Sequence, residues 1–330
     1  GLWYSAMTQR CGLKPNEEEY ILMGMAALGD PKRLFNDIMN DFIDLSDLVN
    51  FKENLHRGCK WWRPDLNTEQ DLYDIAAATQ SVYETLLFNI LVYARGKVNS
   101  RNLVFMGGCA LNCSANRLLF NHFDNVWIMP APGDNGSSIG AVLAHKKEHI
   151  EWPGVYLGYD IGYKSSNEEI VECLLSNQMC GLARGRAEFG PRALGNRSLI
   201  ADPRDPKIKV AINQIKGREQ FRPFAPAILE EYANQYFKMP TKSTTYMQFT
   251  ATCTKYESLS SVAHIDKTSR VQTVNKTDNP QFRDLLERWH AKTGCPMLLN
   301  TSLNIKGQPM VNDAADAMTW GQKYGLPVFN

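Results

Sequence analysis

The sequence predicts an α/β protein with two domains. A short apolar run, a glycine-containing loop and a helix follow one another twice, over residues 103–120 and 126–149. This order is typical of α/β folds, in which ligands bind at the carboxyl ends of strands. The chain has 330 residues, and single hydrophobic cores stop growing at about 250–300 residues. We therefore predict a boundary at Glu151–Gly154, which separates domains at residues 1–152 and 153–330.

Helical spacing and capping residues predict the elements of the first domain. Apolar positions over Glu17–Leu28 indicate a helix that stops at Gly29. Thr68 to Arg95 predicts a long amphipathic helix that ends before Gly96, whereas residues 32–68 show no clear period. The other predicted elements are a buried strand at Leu103–Met106, a helix at Ser114–Phe120, a strand at Val126–Met129 and a helix to about His149.

The second domain is predicted to mix strands and helices in the same way. A short helical segment precedes Lys216. The predicted elements are helices at Asn167–Asn177 and Gln281–Lys292, strands at Cys180–Ala183, Tyr246–Cys253, Val271–Val274 and Pro296–Asn300, and a polar turn at Asn300–Asn304.

Composition excludes several classes of protein. Lys and Arg number 36 against 35 Asp and Glu, so the net charge of +1 offers no general nucleic-acid-binding face. We find no run near the roughly 20 apolar residues of a membrane span and no secretory signal. The eight cysteines are scattered without a C-x-x-C pair, which predicts free thiols and a cytoplasmic location.

Arginines are concentrated in one segment despite this neutral background. Two readings are open: a solvated loop with salt bridges, or a pocket for a phosphate-bearing anion. The glycines and prolines of the segment favour the pocket, because a solvated loop does not need a rigid backbone. The cations are Arg186, Arg192, Arg197 and Arg204, followed by Lys216, Arg218 and Arg222.

The loop Gly133–Ser138 opens a helix, and free N–H groups at a helix start favour phosphate. Asp134 in this loop has two open roles, helix N-cap or ligand of a divalent cation, and the local sequence favours the cap. Gly107 and Gly108 with Asn112 give a weaker signal, because such residues also form ordinary turns and caps.

His145 and His149 have the i, i+4 spacing of metal ligands. Lysines surround them and no H-E-x-x-H acid accompanies them, so we interpret this segment as a solvated helix end.

With these residues identified, the chain resembles the O-carbamoyltransferase family, which carbamoylates hydroxyls of nodulation factors and antibiotics. Lys216-x-Arg218 and Ser302-x-Asn304 look like the K-x-R and S-x-N signature of YrdC-like domains. The resemblance spans almost the whole chain and is carried by Tyr4-Ser5 with Asn16–Gly29, and by Gly107–Asn112, Pro132–Ser137, Glu188–Ser198, Phe221–Pro226 and Asn300–Asn304.

The resemblance implies the C-terminal part of an actin/Hsp70-like (Kae1-like) domain followed by a YrdC-like α/β domain. It implies that carbamoyl phosphate and ATP form a carbamoyl-adenylate, whose carbamoyl group then passes to a hydroxyl of a small molecule. Catalytic roles are implied for Arg192, Arg197, Lys216 and Arg218. Binding of carbamoyl phosphate and ATP is implied for these four with Arg186, Glu188, Arg204, Arg222, Asn300, Ser302 and Asn304, and binding of a second nucleotide for Gly107, Gly108, Asn112, Gly133, Asn135 and Gly136.

The resemblance also implies a divalent metal, Fe²⁺ in the family, with Mg²⁺ accompanying ATP. Asp134 matches the family's third metal ligand, which reverses the local preference for a cap. The family carries its H-x-x-x-H metal motif in a half that lies upstream of the matched region, so we expect a partner polypeptide or a further segment to supply it.

Two alternative functions stay open. The chain could be a non-catalytic or half-enzyme subunit that needs a partner polypeptide. It could also be a tRNA threonylcarbamoylation factor, for which the near-neutral charge offers no RNA-binding face. The substrate distinguishes the two enzymatic functions: an O-carbamoyltransferase uses carbamoyl phosphate, whereas a tRNA threonylcarbamoylation factor uses threonine plus bicarbonate.

Overall fold

A computed structural model describes residues 1–46 and 48–330. Two compact units are present, Gly1–Trp127 and Ile128–Asn330. Both contain helices and strands, which confirms the predicted α/β class. The domain boundary after residue 152 stays a prediction.

A long helix forms the centre of the first unit. It begins at Glu69 because Thr68 caps it: the Thr68 hydroxyl accepts from the Asp71 N–H, and the Asp71 carboxylate accepts from the Thr68 N–H. Arg33 then pairs with Asp71 and Asp74 at 2.6 and 2.7 Å. The helix continues through Gly96 to Lys97, slightly beyond the predicted end.

This helix, Glu69–Lys97, is also long and apolar enough to cross a membrane, contrary to the expectation that no such run exists. In the structure, 56% of its most apolar stretch is buried. Length and composition alone do not distinguish a membrane span from a buried core helix.

The other elements of the first unit are short. The strand predicted as buried at Leu103–Met106 and the strand predicted at Val126–Met129 are each three residues long and pair parallel with each other, and Val104 and Trp127 are 66% and 44% exposed. The elements are helices α1 (Leu2–Arg10), α2 (Glu19–Met25), α3 (Phe35–Phe42), α4 (Glu69–Lys97) and α5 (Cys113–Asn116), and strands β1 (Ile43–Asp44), β2 (Asn50–Phe51), β3 (Asn102–Val104) and β4 (Asn125–Trp127).

The second unit contains a mixed six-stranded sheet with strand order β11-β7-β12-β6-β5-β13. Strands β8, β9 and β10 form a small antiparallel sheet. The elements are helices α6 (Ser137–Lys146), α7 (Asn167–Asn177), α8 (Lys207–Ile215), α9 (Ala233–Tyr236), α10 (Pro280–Thr293) and α11 (Ala314–Tyr324), and strands β5 (Met179–Ala183), β6 (Arg197–Ala201), β7 (Ala225–Leu229), β8 (Phe237–Lys238), β9 (Ala251–Cys253), β10 (Thr268–Ser269), β11 (Gln272–Val274), β12 (Met297–Ser302) and β13 (Val328–Phe329).

Apolar side chains cover both faces of the six-stranded sheet. Helices α7 and α10 pack on one face, where Leu174, Phe282 and Trp289 are fully buried. Helices α8 and α11 and the small sheet pack on the other face, around Ile212 and Leu299. Because strands β5, β6, β7, β11 and most of β12 are buried, the sheet is the rigid support on which the polar residues described below are placed.

Several predicted elements differ from the structure. Arg197–Ala201, predicted within an arginine-rich loop, is a buried strand, and Asn300–Ser302 ends a strand instead of forming a turn. The strand predicted from Tyr246 begins only at Ala251, and Met247 has a left-handed backbone (φ 58°) that is incompatible with a strand at that residue. The helix predicted over 114–120 has an α-helical turn only at Cys113–Asn116.

Candidate functional site

The buried lysine Lys216 lies at the end of helix α8 against the end of strand β12. Its ammonium donates to the Ser302 carbonyl at 2.6 Å and to the Asn304 carbonyl at 2.8 Å. It also contacts the Ser302 hydroxyl at 3.3 Å and the Asn304 side-chain oxygen at 2.9 Å. The structure therefore brings together the K-x-R lysine and the S-x-N pair, which are 86 residues apart in sequence.

Two arginines accompany this lysine. Arg218 donates to the Asn213 side chain at 2.5 Å, and its guanidinium lies 4.1 Å from the centre of the Phe224 ring. Arg222 pairs with Glu219 at 3.3 Å. Burial, and then the charges of Arg218 and Arg222, lower the pKa of Lys216 well below its ordinary value. Three cations close to one another, one of them buried, form an electropositive site at this end of the sheet.

Glu188 organises the loop that carries Arg192. Glu188 is 7% exposed, and one of its carboxylate oxygens accepts from the backbone N–H groups of Leu194 (2.7 Å), Asn196 (2.8 Å) and Arg197 (3.3 Å). Burial raises the pKa of Glu188, although these N–H groups oppose the rise. The second carboxylate oxygen is buried without a hydrogen-bond partner. Glu188 thus acts on the loop backbone in this structure.

Side chains from the sheet hold the same loop. The Asn300 amide donates to the Ala193 carbonyl at 3.1 Å and to the Gln272 side-chain oxygen at 2.7 Å. Gln272 and Tyr156 both donate to the Leu194 carbonyl at 3.0 Å. Neither Gln272 nor Tyr156 was predicted from the sequence, because no local motif marks a side chain that binds backbone 78 or 38 residues away.

Arg197, predicted to bind phosphate, is fully buried. Its guanidinium donates only to backbone carbonyls, at distances of 2.9–3.3 Å. Burial lowers the pKa of Arg197, and the nearby negative charge of Glu188 partly opposes this by raising it. In this structure the side chain therefore joins segments of the unit, and its phosphate-binding role stays a prediction. The acceptors are the carbonyls of Tyr159, Arg184, Gly185, Asn196 and Asn312.

The other predicted arginines differ in exposure. Arg192 is half-buried in the loop that Glu188 holds. Arg186 is exposed and lies 3.8 Å from Asp160. Arg204 is exposed and pairs with Asp202 at 2.6 Å, after the end of β6. Arg204 is therefore paired with Asp202. Arg192 instead lies directly before the backbone groups that Glu188 and Asn300 hold.

The predicted nucleotide-binding glycines fall in different units. In the first unit, Gly107 has a left-handed backbone (φ 97°) before the turn that Gly108 opens. Asn112 caps helix α5 by accepting from the Ala115 N–H, and its amide donates to Gln80 at 2.9 Å. Asn112 therefore acts as a helix cap, one of the two roles that the sequence left open for it, and its role in nucleotide binding stays a prediction.

In the second unit, the Gly133–Ser138 loop opens helix α6 as predicted. Gly136 is required, because a Cβ atom there would lie 2.2 Å from the Ala131 carbonyl oxygen. Asp134 and Asn135 are exposed. Neither helical start in this loop has a side-chain cap, so the N-cap reading of Asp134 is wrong.

Asp134 does not form a metal site with its surroundings. Over residues 1–46 and 48–330, no three His, Cys, Asp or Glu side chains cluster in a way that could hold a metal ion. His145 and His149 are exposed, and His149 lies beyond the helix end at Lys146, so the two do not share a helix face. The described residues alone do not fit the predicted metal, and we derive no step through it.

Sequence comparisons place this site in a family. The "Carbamoyltransferase N-terminus" model matches residues 1–143, and the "Carbamoyltransferase C-terminus" model matches residues 171–329. The second match contains the Arg192 loop, Lys216 and the end of β12.

Individual relatives agree. Nodulation protein NolO of Bradyrhizobium diazoefficiens is 33% identical over 92% of this chain and 62% of its own length. Nodulation protein NolNO of Sinorhizobium fredii is 33% identical over 92% of this chain and 50% of its own. The uncharacterized protein MJ1051 of Methanocaldococcus jannaschii is 30% identical over 96% of this chain and 68% of its own. The chain spans half to about two thirds of the length of these relatives, and with both family models matched it belongs to the O-carbamoyltransferase family.

Proposed function

We propose that this chain binds carbamoyl phosphate and ATP, forms carbamoyl-adenylate and provides it for transfer to a hydroxyl of a small molecule. The observation that carries the proposal is the buried Lys216 ammonium, placed beside Arg218 and Arg222 and held by Ser302 and Asn304. Cations that repel one another are kept together when a site must receive an anion, and two phosphate-bearing substrates supply that charge.

The proposed reaction has three steps. Water hydrolyses carbamoyl phosphate to carbamate and phosphate. A carbamate oxygen attacks the α-phosphorus of ATP, the bond between the α-phosphorus and the bridging oxygen breaks, and pyrophosphate leaves with its electron pair. The acceptor hydroxyl then attacks the carbamoyl carbon, loses its proton, and AMP departs. Lys216, Arg192, Arg218 and Arg222 stabilise the phosphate charges during the first two steps.

Replacing Arg192 with Ala should lower the rate of pyrophosphate release about 30-fold or more, because a charged donor in a desolvated site stabilises the transition state by roughly 2 kcal/mol. The measurement is pyrophosphate release in the presence of carbamoyl phosphate and ATP. Arg288→Ala, which removes exposed ion pairs with Asp284 of α10 and Glu168 of α7, is the matched control and should leave the rate unchanged.

Omitting either substrate should abolish the release. A folded chain that binds neither substrate would refute the proposal. Pyrophosphate release with threonine and bicarbonate in place of carbamoyl phosphate would instead favour a tRNA threonylcarbamoylation factor, as would retention of tRNA at physiological salt.

A second candidate, a subunit completed by further polypeptide, is favoured by the surface of the first unit. Strands β3 and β4 are a parallel pair whose Val104 and Trp127 are exposed, and Phe88, Val92 and Tyr93 in the last turns of α4 are each about half-exposed. Parallel sheets are otherwise covered on both faces, and a two-stranded sheet is marginally stable in water. The chemistry of this surface suits a polypeptide that adds strands and apolar side chains.

Mixing the chain with the part of NolO outside the matched region should produce a complex and raise transfer to a hydroxyl acceptor. Val104→Asp should prevent both, because a carboxylate would then be buried in the contact. Met318→Asp, at an exposed apolar residue of α11, is the control. Equal complex formation by both variants would rule out this surface as the contact.

A further inference from the structure

We propose that Tyr156 and Gln272 are positioning residues that set the Arg192 loop in its binding conformation before any ligand arrives. The inference rests on the proposed function, since it assigns the loop its ligand. Both side chains donate to one atom, the Leu194 carbonyl oxygen, and both distances are 3.0 Å. Leu194 is 1% exposed, so this oxygen has little access to water and depends on these two donors.

The two donors come from distant parts of the chain. Gln272 begins strand β11 and is 2% exposed. Tyr156 lies before helix α7, and its hydroxyl donates to a carbonyl 38 residues later in the sequence. Burial raises the pKa of Tyr156 well above its ordinary value, so its hydroxyl stays protonated and remains a donor. The loop is therefore attached to the sheet and to the segment before α7 through a single carbonyl.

Gln272 also connects the loop to Asn300. Its side-chain oxygen accepts from the Asn300 amide at 2.7 Å while its amide donates to Leu194. Asn300 in turn donates to the Ala193 carbonyl. Because Asn300 and Ser302 are two residues apart on β12, they lie on the same side of the strand, and Ser302 contacts Lys216. The contacts that hold the residues after Arg192 and the contacts that hold Lys216 are thus both anchored on the end of β12.

The backbone on each side of these contacts is confined. Gly190 and Gly195 have left-handed φ angles of 140° and 116°. A Cβ atom at Gly195 would lie 2.5 Å from the Phe282 ring. The N–H groups of Leu194 and Asn196 are held by Glu188. A loop with so few alternatives presents Arg192 without an ordering step when ligand binds, which increases affinity.

The test compares Tyr156→Phe and Gln272→Leu, each alone and in an Arg192→Ala background. Each single change should raise the KM for carbamoyl phosphate about fivefold, the ratio that corresponds to one hydrogen bond. kcat should change less than KM. Tyr236→Phe, at a half-buried tyrosine of α9, is the matched control. In the Arg192→Ala background, the same changes should have no further effect on KM, because they act through Arg192.

Hydrogen exchange of the amides at 194–197 gives a readout that needs no ligand. These amides should exchange slowly in the wild type, and faster in both variants but not in the control. An unchanged KM, an additive effect in the Arg192→Ala background, or rapid exchange in the wild type would each overturn the positioning role. A wild type that does not bind carbamoyl phosphate but exchanges slowly would refute the proposed function, while the exchange of the variants would still decide whether these side chains hold the loop.

Discussion

Replacing Arg197 with Met should lower the free energy of unfolding by roughly 3–5 kcal/mol, the range expected when a buried network loses its central donor. The guanidinium is fully buried and makes six hydrogen bonds to five backbone carbonyls. Met fills a similar volume but donates no hydrogen bond, so carbonyls such as that of Asn312 would stay buried and unpaired. The favourable charge interaction between Arg197 and Glu188 would also be lost.

Urea unfolding, followed at a constant m value, measures this effect. Arg204→Met is the matched control, because Arg204 is an exposed arginine in the same unit whose ion pair with Asp202 should contribute no more than about 1 kcal/mol. Equal urea midpoints for Arg197→Met and Arg204→Met would show that the buried contacts of Arg197 stabilise the fold no more than an exposed ion pair does. Arg197→Lys should recover little of the loss, because an ammonium cannot reach carbonyls on both sides of the planar fork.

Replacing Lys216 with Met should weaken carbamoyl phosphate binding about 100-fold, the scale for removal of one charged donor from a desolvated site. The variant should stay folded, because Ser302 and Asn304 have other partners: the Ser302 hydroxyl donates to the Asn304 side chain at 2.6 Å, and the Asn304 amide donates to Gln308. Titration calorimetry measures the affinity. Lys207→Met, at the exposed start of α8, is the control and should bind normally.

The wild type should also show a characteristic dependence on pH. Since burial and the neighbouring arginines lower the pKa of Lys216, its charge is lost at a lower pH than that of an ordinary lysine. Affinity for the anion should fall as pH rises through this lowered pKa. Over the same window the free energy of unfolding should rise, because the cost of burying the ammonium disappears while the unfolded chain still binds the proton. A Lys216→Met variant that keeps the pH dependence would contradict the assignment.

Much of the fold could be predicted from local signals. Helix Asn167–Asn177 was predicted with its observed bounds, and Thr68 caps α4 as expected. Capping boxes and helical periodicity depend on residues three or four apart, so a short window of sequence contains the whole interaction. The strands at 103–106 and 126–129 were placed correctly to within about two residues, but the predicted burial of the first was wrong. Burial depends on what covers a strand, which apolar composition does not specify.

The candidate site, too, could be predicted from the sequence only in part. The sequence by itself determined which residue types are concentrated where: arginines in Arg186–Arg204, the Lys216 run, and the polar end of β12. Only the tertiary structure decided that Arg197 donates to carbonyls, that Glu188 holds backbone N–H groups, and that Gln272 and Tyr156 hold Leu194. The reason is physical: a side chain's identity states which hydrogen bonds it can make, whereas its partner, as far as 115 residues away for Arg197, is set by the packing of the sheet and its helices.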